Sequence, residues 1–402
     1  MGADPSGKRL LVLGAGPAQL GLLRAAHARG LLVIACDRDP AAPGFEYVDR
    51  RALVSAEDEP AIDRLAQGEL VDGVIAPGID WPVAIAARVA FRLAISHPLD
   101  PETAALAVSK LRQRARFAER GVVQPRWWAT STLDEARAAA DEAGYPCVVK
   151  APDRQGQRGL SLVGEPERLP AAAEMAFGES RSHTCLVEEL VPGREVTVNA
   201  FSSRGRFYPL TVTDRLTADA PAFGVALAHA WPAAGAEDAA EAARLAAAAI
   251  GVREGPTYTQ VVLAHGGPRV VELAARLGGG QDADLCRAAT GVDLNGLALS
   301  AALGERARIP LPEPRGGACV RFLVAPPGEL EAVEGLDRAV EVEGVLEARV
   351  FRRPGWRFGQ LRRGADRAGF VLAVGDSRDD ALERADRAAG LVRFRVNERV
   401  PS

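Results

Sequence analysis

The sequence has few of the residues that build covalent staples or compact metal centres. It contains only five cysteines and five histidines in 402 residues. The cysteines lie far apart and form neither a CxxC pair nor a metal-type cluster with the histidines. We expect all five to be reduced core residues: Cys36, Cys147, Cys185, Cys286 and Cys319.

Strong charge of one sign and long apolar runs are also missing. The formal net charge is -4, so no basic field covers the chain and a nucleic-acid partner is not expected. No apolar run reaches the ~18 residues that cross a bilayer, and no signal-type apolar stretch precedes a cleavage site near the N-terminus. We therefore expect a cytoplasmic protein without a membrane partner, in which only residues 1–7 are disordered.

What the chain does have is enough apolar material for several cores. Hydrophobic residues make up 48% and charged residues 25%, which is typical of globular proteins. At this length the usual domain size predicts about two to four units.

The first hundred residues alternate between strand and helix patterns. Residues 9–13 form an apolar strand, 14–21 a glycine turn, 22–29 a helix and 31–35 a second strand. This order is typical of a doubly wound α/β unit. A dinucleotide site built on Gly14, Gly16 and Asp37 is one interpretation. The third glycine, Gly21, comes one residue late for GxGxxG, and a purely structural turn fits the pattern about as well.

A second set of signals begins at Lys110, the first residue of an amphipathic helix. An apolar strand then delivers Lys150 at its end, and a polar glycine loop follows with Gly156, Gly159 and Ser161. A strand, a glycine loop and another strand make a hairpin that can fold over phosphates. Farther on, a strand ends in two acids and a Pro-Gly turn leads to a third: Glu188, Glu189 and Glu195.

The most informative stretch is 270–280. A strand ending on Glu272 offers a hard oxygen for Mg²⁺, Arg276 can bind a phosphoryl or carboxylate group bidentately, and Gly278, Gly279 and Gly280 allow backbone amides to approach an anion. These groups suit the transfer of phosphate onto a carboxylate.

In their order and approximate spacing these residues resemble the ATP-grasp superfamily. Within it the chain looks most like the carboxylate-amine ligases that include the bacterial L-amino acid ligases. The segments 318–323 and 369–375, followed by a helix at 379–389, are similar to the C-terminal portion of those enzymes.

The resemblance implies an α/β and α+β multidomain fold. A Rossmann-like pre-ATP-grasp domain would span 1–107, and the ATP-grasp small lobe with the glycine loop 108–191. The large lobe with the Mg²⁺ and substrate site would span 192–315, and a ligase-like subdomain 316–402.

The resemblance also implies the ligands of each site residue. Lys110 and Lys150 would face ATP and its phosphates, with Gly156, Gly159 and Ser161 closing over them. The adenine would lie against Glu188, Glu189 and Val191, mainly through backbone groups, and Glu195 would bind the ribose. Glu272 and Gln260 would hold Mg²⁺, for which Mn²⁺ is an alternative. Arg276 and His229 would act in catalysis, and the substrates would be bound by Asp214, His229, Arg276, Gly278, Gly279 and Gly280.

Two positions depart from the common family pattern. Gln260 is neutral where many relatives have an acid, and Ala274 stands where an asparagine ligand is common. Hard cations favour charged oxygens, so weaker metal binding or a single tightly held Mg²⁺ is expected. An inactive relative that binds ATP as a scaffold is therefore an alternative.

The implied reaction is the ATP-dependent condensation of a small carboxylate with an amine, both expected to be amino acids, through an acyl phosphate. A dinucleotide-dependent oxidoreductase would leave Lys150 and Arg276 without roles. A carboxylase-like or purine-pathway ATP-grasp enzyme is a further alternative, against which the ligase-like tail argues. A homodimer is plausible.

Overall fold

The computed structural model describes residues 7–397, which fold into four β-sheets with helices packed around them. Of the segment expected to be disordered, all but Gly7 lies outside the described residues. Between 7 and 397 no helix is both long and apolar enough to span a bilayer.

The N-terminal sheet is parallel and has the order β3-β2-β1-β4. Its elements are β1 Arg9–Leu13, α1 Leu20–Ala28, β2 Leu32–Cys36, β3 Arg50–Ala52, α2 Glu59–Glu69, β4 Gly73–Ile75, α3 Trp81–Arg92 and α4 Pro101–Ala107. The predicted alternation of strand and helix is confirmed. Helix α1 begins two residues earlier than predicted, because the buried Leu20 belongs to its apolar face.

A small antiparallel sheet follows, with the order β5-β8-β6-β7. This part of the chain contains α5 Lys110–Glu119, β5 Trp127–Thr130, α6 Leu133–Ala143, β6 Cys147–Lys150, β7 Leu160–Val163, α7 Leu169–Glu179 and β8 Cys185–Glu189. Helix α5 has the predicted bounds. Ser109 caps it by accepting a hydrogen bond from the amide of Arg112.

The largest sheet has eight strands in the order β13-β12-β9-β10-β11-β14-β18-β16, and β17, β15 and β19 form a separate sheet of three. The elements are β9 Arg194–Ser203, β10 Arg206–Thr217, β11 Ala226–Trp231, α8 Ala236–Ile250, β12 Gly255–Ala264, β13 Gly267–Ala274, α9 Asp282–Thr290, α10 Leu294–Ala302, β14 Gly317–Leu323, β15 Gly328–Glu334, α11 Leu336–Val340, β16 Val345–Val350, β17 Arg357–Phe358, β18 Gly369–Gly375, α12 Arg378–Leu391 and β19 Arg393–Asn397. The predicted tail strands and helix are present. One sheet runs across the predicted 315/316 boundary, so the division into domains stays a prediction.

The two faces of the large sheet differ in polarity. On one face Val196, Val198 and Val261 are buried in a core that includes the alanines of α8. Thr197 is the cross-strand partner of Gln260, and Arg215 is the partner of His229. Side chains alternate along a strand and paired residues share a face. The second face is therefore polar, and it carries the candidate site.

Candidate active site

A buried ion triad links the small sheet to helix α5. Glu188 Oε2 lies 2.7 Å from Lys150 Nζ, and Glu188 Oε1 accepts a 2.7 Å hydrogen bond from Arg114 Nε. All three side chains are buried. Burial opposes the charged carboxylate, but Arg114 and Lys150 outweigh it and lower the pKa of Glu188 to about 2. Burial lowers the pKa of Lys150. Glu188 therefore fixes the lysine, and its side chain is not free to face an adenine.

The second predicted lysine meets the predicted metal ligand. Lys110 Nζ lies 2.9 Å from Glu272 Oε1 and donates a 2.6 Å hydrogen bond to the carbonyl of Arg154, in the loop after β6. Burial works against the charge of Lys110, yet Glu272 and Asp80 raise its pKa. Burial likewise opposes the charge of Glu272, and Lys110 and Lys150 lower its pKa. Both groups are thus held charged.

Gln260 and Glu272 are cross-strand partners on β12 and β13, so their side chains leave the sheet side by side. Gln260 Nε2 lies 3.4 Å from the hydroxyl of Tyr258, which leaves its amide oxygen as an acceptor. Within 7–397 no three His, Cys, Asp or Glu residues cluster as a metal site. The oxygen pair still suits Mg²⁺, because this ion is commonly held by one or two protein oxygens together with substrate phosphates and water.

The predicted hairpin around the glycine loop is present: β6 and β7 pair antiparallel, and Ser161 lies opposite Val149. Gly156 has φ +65° and Gly159 has φ +66°. At Gly159 a side chain would also lie 3.1 Å from Ala151 Cβ, so this turn requires glycine. Gln157 in the same loop accepts a hydrogen bond from the amide of Gly364. The loop therefore bridges toward the C-terminal part of the chain.

Arg276 is paired with a residue of the N-terminal unit. Its Nε and Nη2 both lie 2.6 Å from Asp80 Oδ1, and its guanidinium carbon lies 5.7 Å from the centre of the Tyr258 ring. The side chains of Arg276 and Asp80 are 12% and 10% exposed. Asp80 precedes α3, so the first domain-like unit contributes a carboxylate to the site.

The glycine turn after Arg276 packs too closely for side chains. A Cβ on Gly278 would lie 2.2 Å from Asp282 Oδ2, and one on Gly280 would lie 2.9 Å from His229 Nε2. The amide of Gly280 donates to Asp282 Oδ2 at 2.9 Å. Of the amides predicted to bind a carboxylate, that of Gly280 is therefore used within the protein.

His229 is buried against this turn and has a neutral imidazole. Burial lowers the pKa of His229 to about 4, against an opposing effect of Asp282. Its Nδ1 has no hydrogen-bond partner in the described part of the chain. The neighbouring ring of Phe322 meets it edge-on, with centroids 5.9 Å apart. A neutral histidine can donate or accept one proton near the reacting groups.

Two arginines that the sequence analysis missed complete the polar face. Arg215 Nη1 donates a 2.5 Å hydrogen bond to Glu195 Oε2, so the carboxylate predicted to bind ribose is already engaged. The guanidinium carbon of Arg367 lies 3.6 Å from the centre of the Phe322 ring. Burial lowers the pKa of Arg367 to about 10. Among residues 7–397 no carboxylate oxygen comes within 4 Å of its nitrogens.

Three predicted residues lie apart from this centre or use their side chains elsewhere. Asp214 is the cross-strand partner of Val196 and faces the apolar side of the sheet. Its two oxygens are held by Arg194 and Arg378, at 2.9 and 2.7 Å. Glu189 is paired with Arg126 at 2.7 Å. Val191 lies half-buried in the connection between β8 and β9, where its backbone remains the candidate contact.

The glycine turn of the N-terminal unit serves packing. Asp37 Oδ2 accepts a 2.9 Å hydrogen bond from the amide of Ala15. Gln281 Nε2 donates to the carbonyl of Pro17 at 3.0 Å, and the amide of Gly78 donates to the carbonyl of Leu277. The turn thus holds the N-terminal unit against the segment that follows Arg276, and these contacts favour the structural interpretation over a dinucleotide site.

The sequence contains a local pattern that could have identified some of the site residues absent from the sequence analysis. Arg114 follows Lys110 by four positions on one helix, which places both on one face. Strand alternation places Arg215 on the opposite face from Asp214, and its cross-strand pairing with His229 sets which face that is. Asp80 carries no such local signal, since its partner is 196 positions away.

Two family models match stretches of this chain. The family model of the carbamoyl-phosphate synthase L chain ATP binding domain matches residues 109–309, half of the chain. The model of L-amino acid ligase C-terminal domain 2 matches residues 321–397.

Two curated relatives are similar to this chain over part of its length. The uncharacterized protein y4rH of Sinorhizobium fredii is 27% identical over 74% of this chain and 63% of its own length. A formate-dependent phosphoribosylglycinamide formyltransferase of Prochlorococcus marinus is 30% identical over 46% of this chain and 48% of its own. The chain thus spans less than two thirds of either relative.

The crystal structure of L-amino acid ligase from Bacillus licheniformis has the same fold, with a TM-score of 0.81 at 20% identity, covering 97% of this chain and 99% of that one. The chain therefore belongs to the ATP-grasp superfamily of ligases, with the ATP binding domain of the carbamoyl-phosphate synthase L chain family and the C-terminal domain of L-amino acid ligases.

Proposed function

We propose that the protein joins a small carboxylate to an amine at the expense of ATP, through an acyl phosphate, and releases ADP and phosphate. The observation that carries this proposal is the convergence of two lysines, two glutamates and Arg276. Lys150 with Glu188 and Lys110 with Glu272 are ion pairs between elements far apart in sequence. Phosphoryl transfer needs charge neutralisation and positioning more than covalent help from the protein.

For the nucleotide, Lys110 and Lys150 would bind phosphate oxygens, and the loop with Gly156 and Gly159 would close over them. Both lysines are paired with acids in this structure. When ATP binds, its phosphates would therefore take the place of Glu272 as a negatively charged partner of Lys110. The freed Glu272 carboxylate, with the amide oxygen of Gln260, is the set of protein ligands for Mg²⁺, which neutralises phosphate charge when bound.

In the first chemical step a carboxylate oxygen of the substrate forms a bond to the γ-phosphorus and the bond to the ADP oxygen breaks. An amine then attacks the acyl carbon and phosphate leaves, giving the amide. Arg276, supported by Asp80 and Tyr258, would bind the transferring phosphoryl group or the activated carboxylate. We assign to Asp80 the substrate-binding role predicted for Asp214, as the carboxylate that would bind a substrate ammonium, because Asp80 lies beside Arg276 while Asp214 is held on the other face.

Arg367 favours a second version of the reaction, in which the amine substrate carries an additional anionic group. Its guanidinium has no carboxylate partner among the described residues, and burial makes its charge costly. An amino acid carboxylate or a phosphate would both suit it. Phosphate-bearing amines therefore belong in the substrate panel beside amino acids.

The test is release of phosphate from ATP and Mg²⁺ with pairs of carboxylates and amines, with products read by mass. The proposal predicts phosphate and a new amide that require both substrates, together with ADP. Arg276→Ala and Glu272→Ala should abolish turnover, whereas Arg269→Ala, on the same strand as Glu272 and hydrogen-bonded to the carbonyls of Gly266 and Gly267, should not. ATP binding without turnover across the whole panel would favour the non-catalytic scaffold.

The compartment and the assembly stay proposals. All five cysteines are buried and unpaired, which suits the reducing cytoplasm. A homodimer remains our expectation for the assembly.

A further inference from the structure

A second polar cavity lies outside the candidate active site. It has a volume of about 750 Å³ and is lined by four parts of the chain: the segment after α3, the β9–β10 hairpin, the connection between α8 and β12, and the end of α10 with the segment that follows it. Four of its lining residues are arginines: Arg204, Arg206, Arg306 and Arg308. This size is within the range of small-molecule sites.

The four arginines lack acidic partners. In the part of the chain from 7 to 397, no carboxylate oxygen comes within 4 Å of any of their guanidinium nitrogens. Arg206 lies over the ring of Tyr208, with its guanidinium carbon 4.9 Å from the centroid. This contact orients the side chain without neutralising it. Some other exposed arginines of the chain, such as Arg137 and Arg168, pair with a nearby acid.

The two carboxylates of the cavity are already engaged. Glu305 pairs with Lys8 and Arg29. Glu254 accepts a 3.0 Å hydrogen bond from the amide of Arg204. Four arginines thus line the cavity beside two acids, one of which, Glu305, is already paired with two further basic side chains, in a protein whose formal net charge is -4. Such a local excess of positive charge attracts and concentrates anions.

The cavity is separate from the candidate nucleotide site. Glu195, near the start of strand β9, lies in the candidate site, and Ser203, at the end of the same strand, lines the cavity. Eight residues of an extended strand span about 26 Å. A single ATP molecule cannot occupy both places.

We propose that this cavity is a binding site for a small polyphosphate anion, distinct from the site of the ligase reaction. Arginine binds phosphate bidentately through its planar guanidinium. Four such groups and the hydroxyls of Ser96 and Ser203 suit a ligand with two or more phosphate groups. The proposal does not rest on the ligase activity.

The test is calorimetric titration of the whole chain with inorganic tripolyphosphate, with and without saturating MgADP. The test variant combines Arg306→Ser with Arg308→Ser. The control combines Arg137→Ser with Arg168→Ser, which removes the same charge from another exposed surface. The affinity should fall about tenfold or more in the test variant and stay near the wild-type value in the control. Because the cavity is separate, MgADP should leave this binding event in place.

Equal affinity in all three proteins would overturn the proposal. So would loss of all binding on addition of MgADP, since that result would assign the anion to the nucleotide site. Size-exclusion chromatography of the same proteins tests the other possible occupant of this surface, a second copy of the chain. A change of oligomeric state in the test variant, with no anion bound by the wild type, would assign the face to a subunit contact instead.

Discussion

Replacing Glu188 by Gln is the sharpest perturbation that the structure offers. The substitution keeps the shape of the side chain and removes the one carboxylate that Lys150 and Arg114 share. Both contacts are 2.7 Å, and the Glu188 side chain is 4% exposed. Two buried cations would then face each other without an anion between them, at the point where the small sheet meets α5.

The size of the effect follows from the pKa. A shift of the Glu188 pKa from its ordinary value of 4.5 to about 2 corresponds to roughly 3 kcal/mol of preference for the charged form. Removal of one partner from a buried ion pair typically costs about 3–5 kcal/mol. We therefore expect Glu188→Gln to lower the free energy of unfolding by about 3 kcal/mol and to weaken ATP binding, because Lys150 loses the group that fixes it.

Urea unfolding at pH 7 measures the first effect and ATP titration the second. The neighbouring Glu189→Gln is the matched control. Glu189 pairs with Arg126, whose side chain is 57% exposed, and such surface pairs contribute about 0–1 kcal/mol. If the free energy of unfolding fell by less than about 1 kcal/mol in both variants, the reasoning would be refuted. The buried carboxylate would then contribute no more to stability than the exposed one.

Three further predictions concern the site. The pKa of His229 is lowered to about 4, so the unfolded chain binds its proton more tightly, and the free energy of unfolding should fall by about 2 kcal/mol between pH 7 and pH 5 from this group. His229→Gln should make that profile shallower in urea unfolding at the two pH values; parallel profiles would contradict the assignment. Asp80→Asn should raise KM for the carboxylate or amine substrate far more than it changes ADP affinity, and an equal loss of ADP affinity would argue that Asp80 acts through Lys110, whose pKa it raises. Gln260→Glu should reduce the Mg²⁺ concentration that gives half-maximal phosphate release, since a charged oxygen binds this ion better; an unchanged requirement would place the metal away from Gln260.

Local patterns were enough to predict much of the fold. The strand 9–13, helix α5 and strand β18 have the expected bounds within a residue or none. Their apolar periodicity and flanking glycines act over a few positions, so the sequence contains the whole signal. The three-stranded sheet of β15, β17 and β19 was not predicted, because one of its members is only two residues long.

The pairing within the site could not be predicted in the same way. Asp80 meets Arg276 across 196 positions, and Arg114 meets Glu188 across 74. Such contacts depend on how separate sheets pack. Asp214 illustrates a different limit, since adjacent strand residues face opposite sides and only Arg215 of this pair lies on the polar face. The role of an acid therefore depends on strand register as well as on residue type.

The central claim is the acyl-phosphate route, and isotope transfer tests it most directly. The carboxylate substrate is labelled with ¹⁸O at both oxygens, turnover is run with unlabelled ATP and water, and the released phosphate is analysed by mass. The account predicts that each phosphate carries one labelled oxygen from the substrate, and that Arg276→Ala yields none above background. Unlabelled phosphate accompanying amide formation would contradict the account.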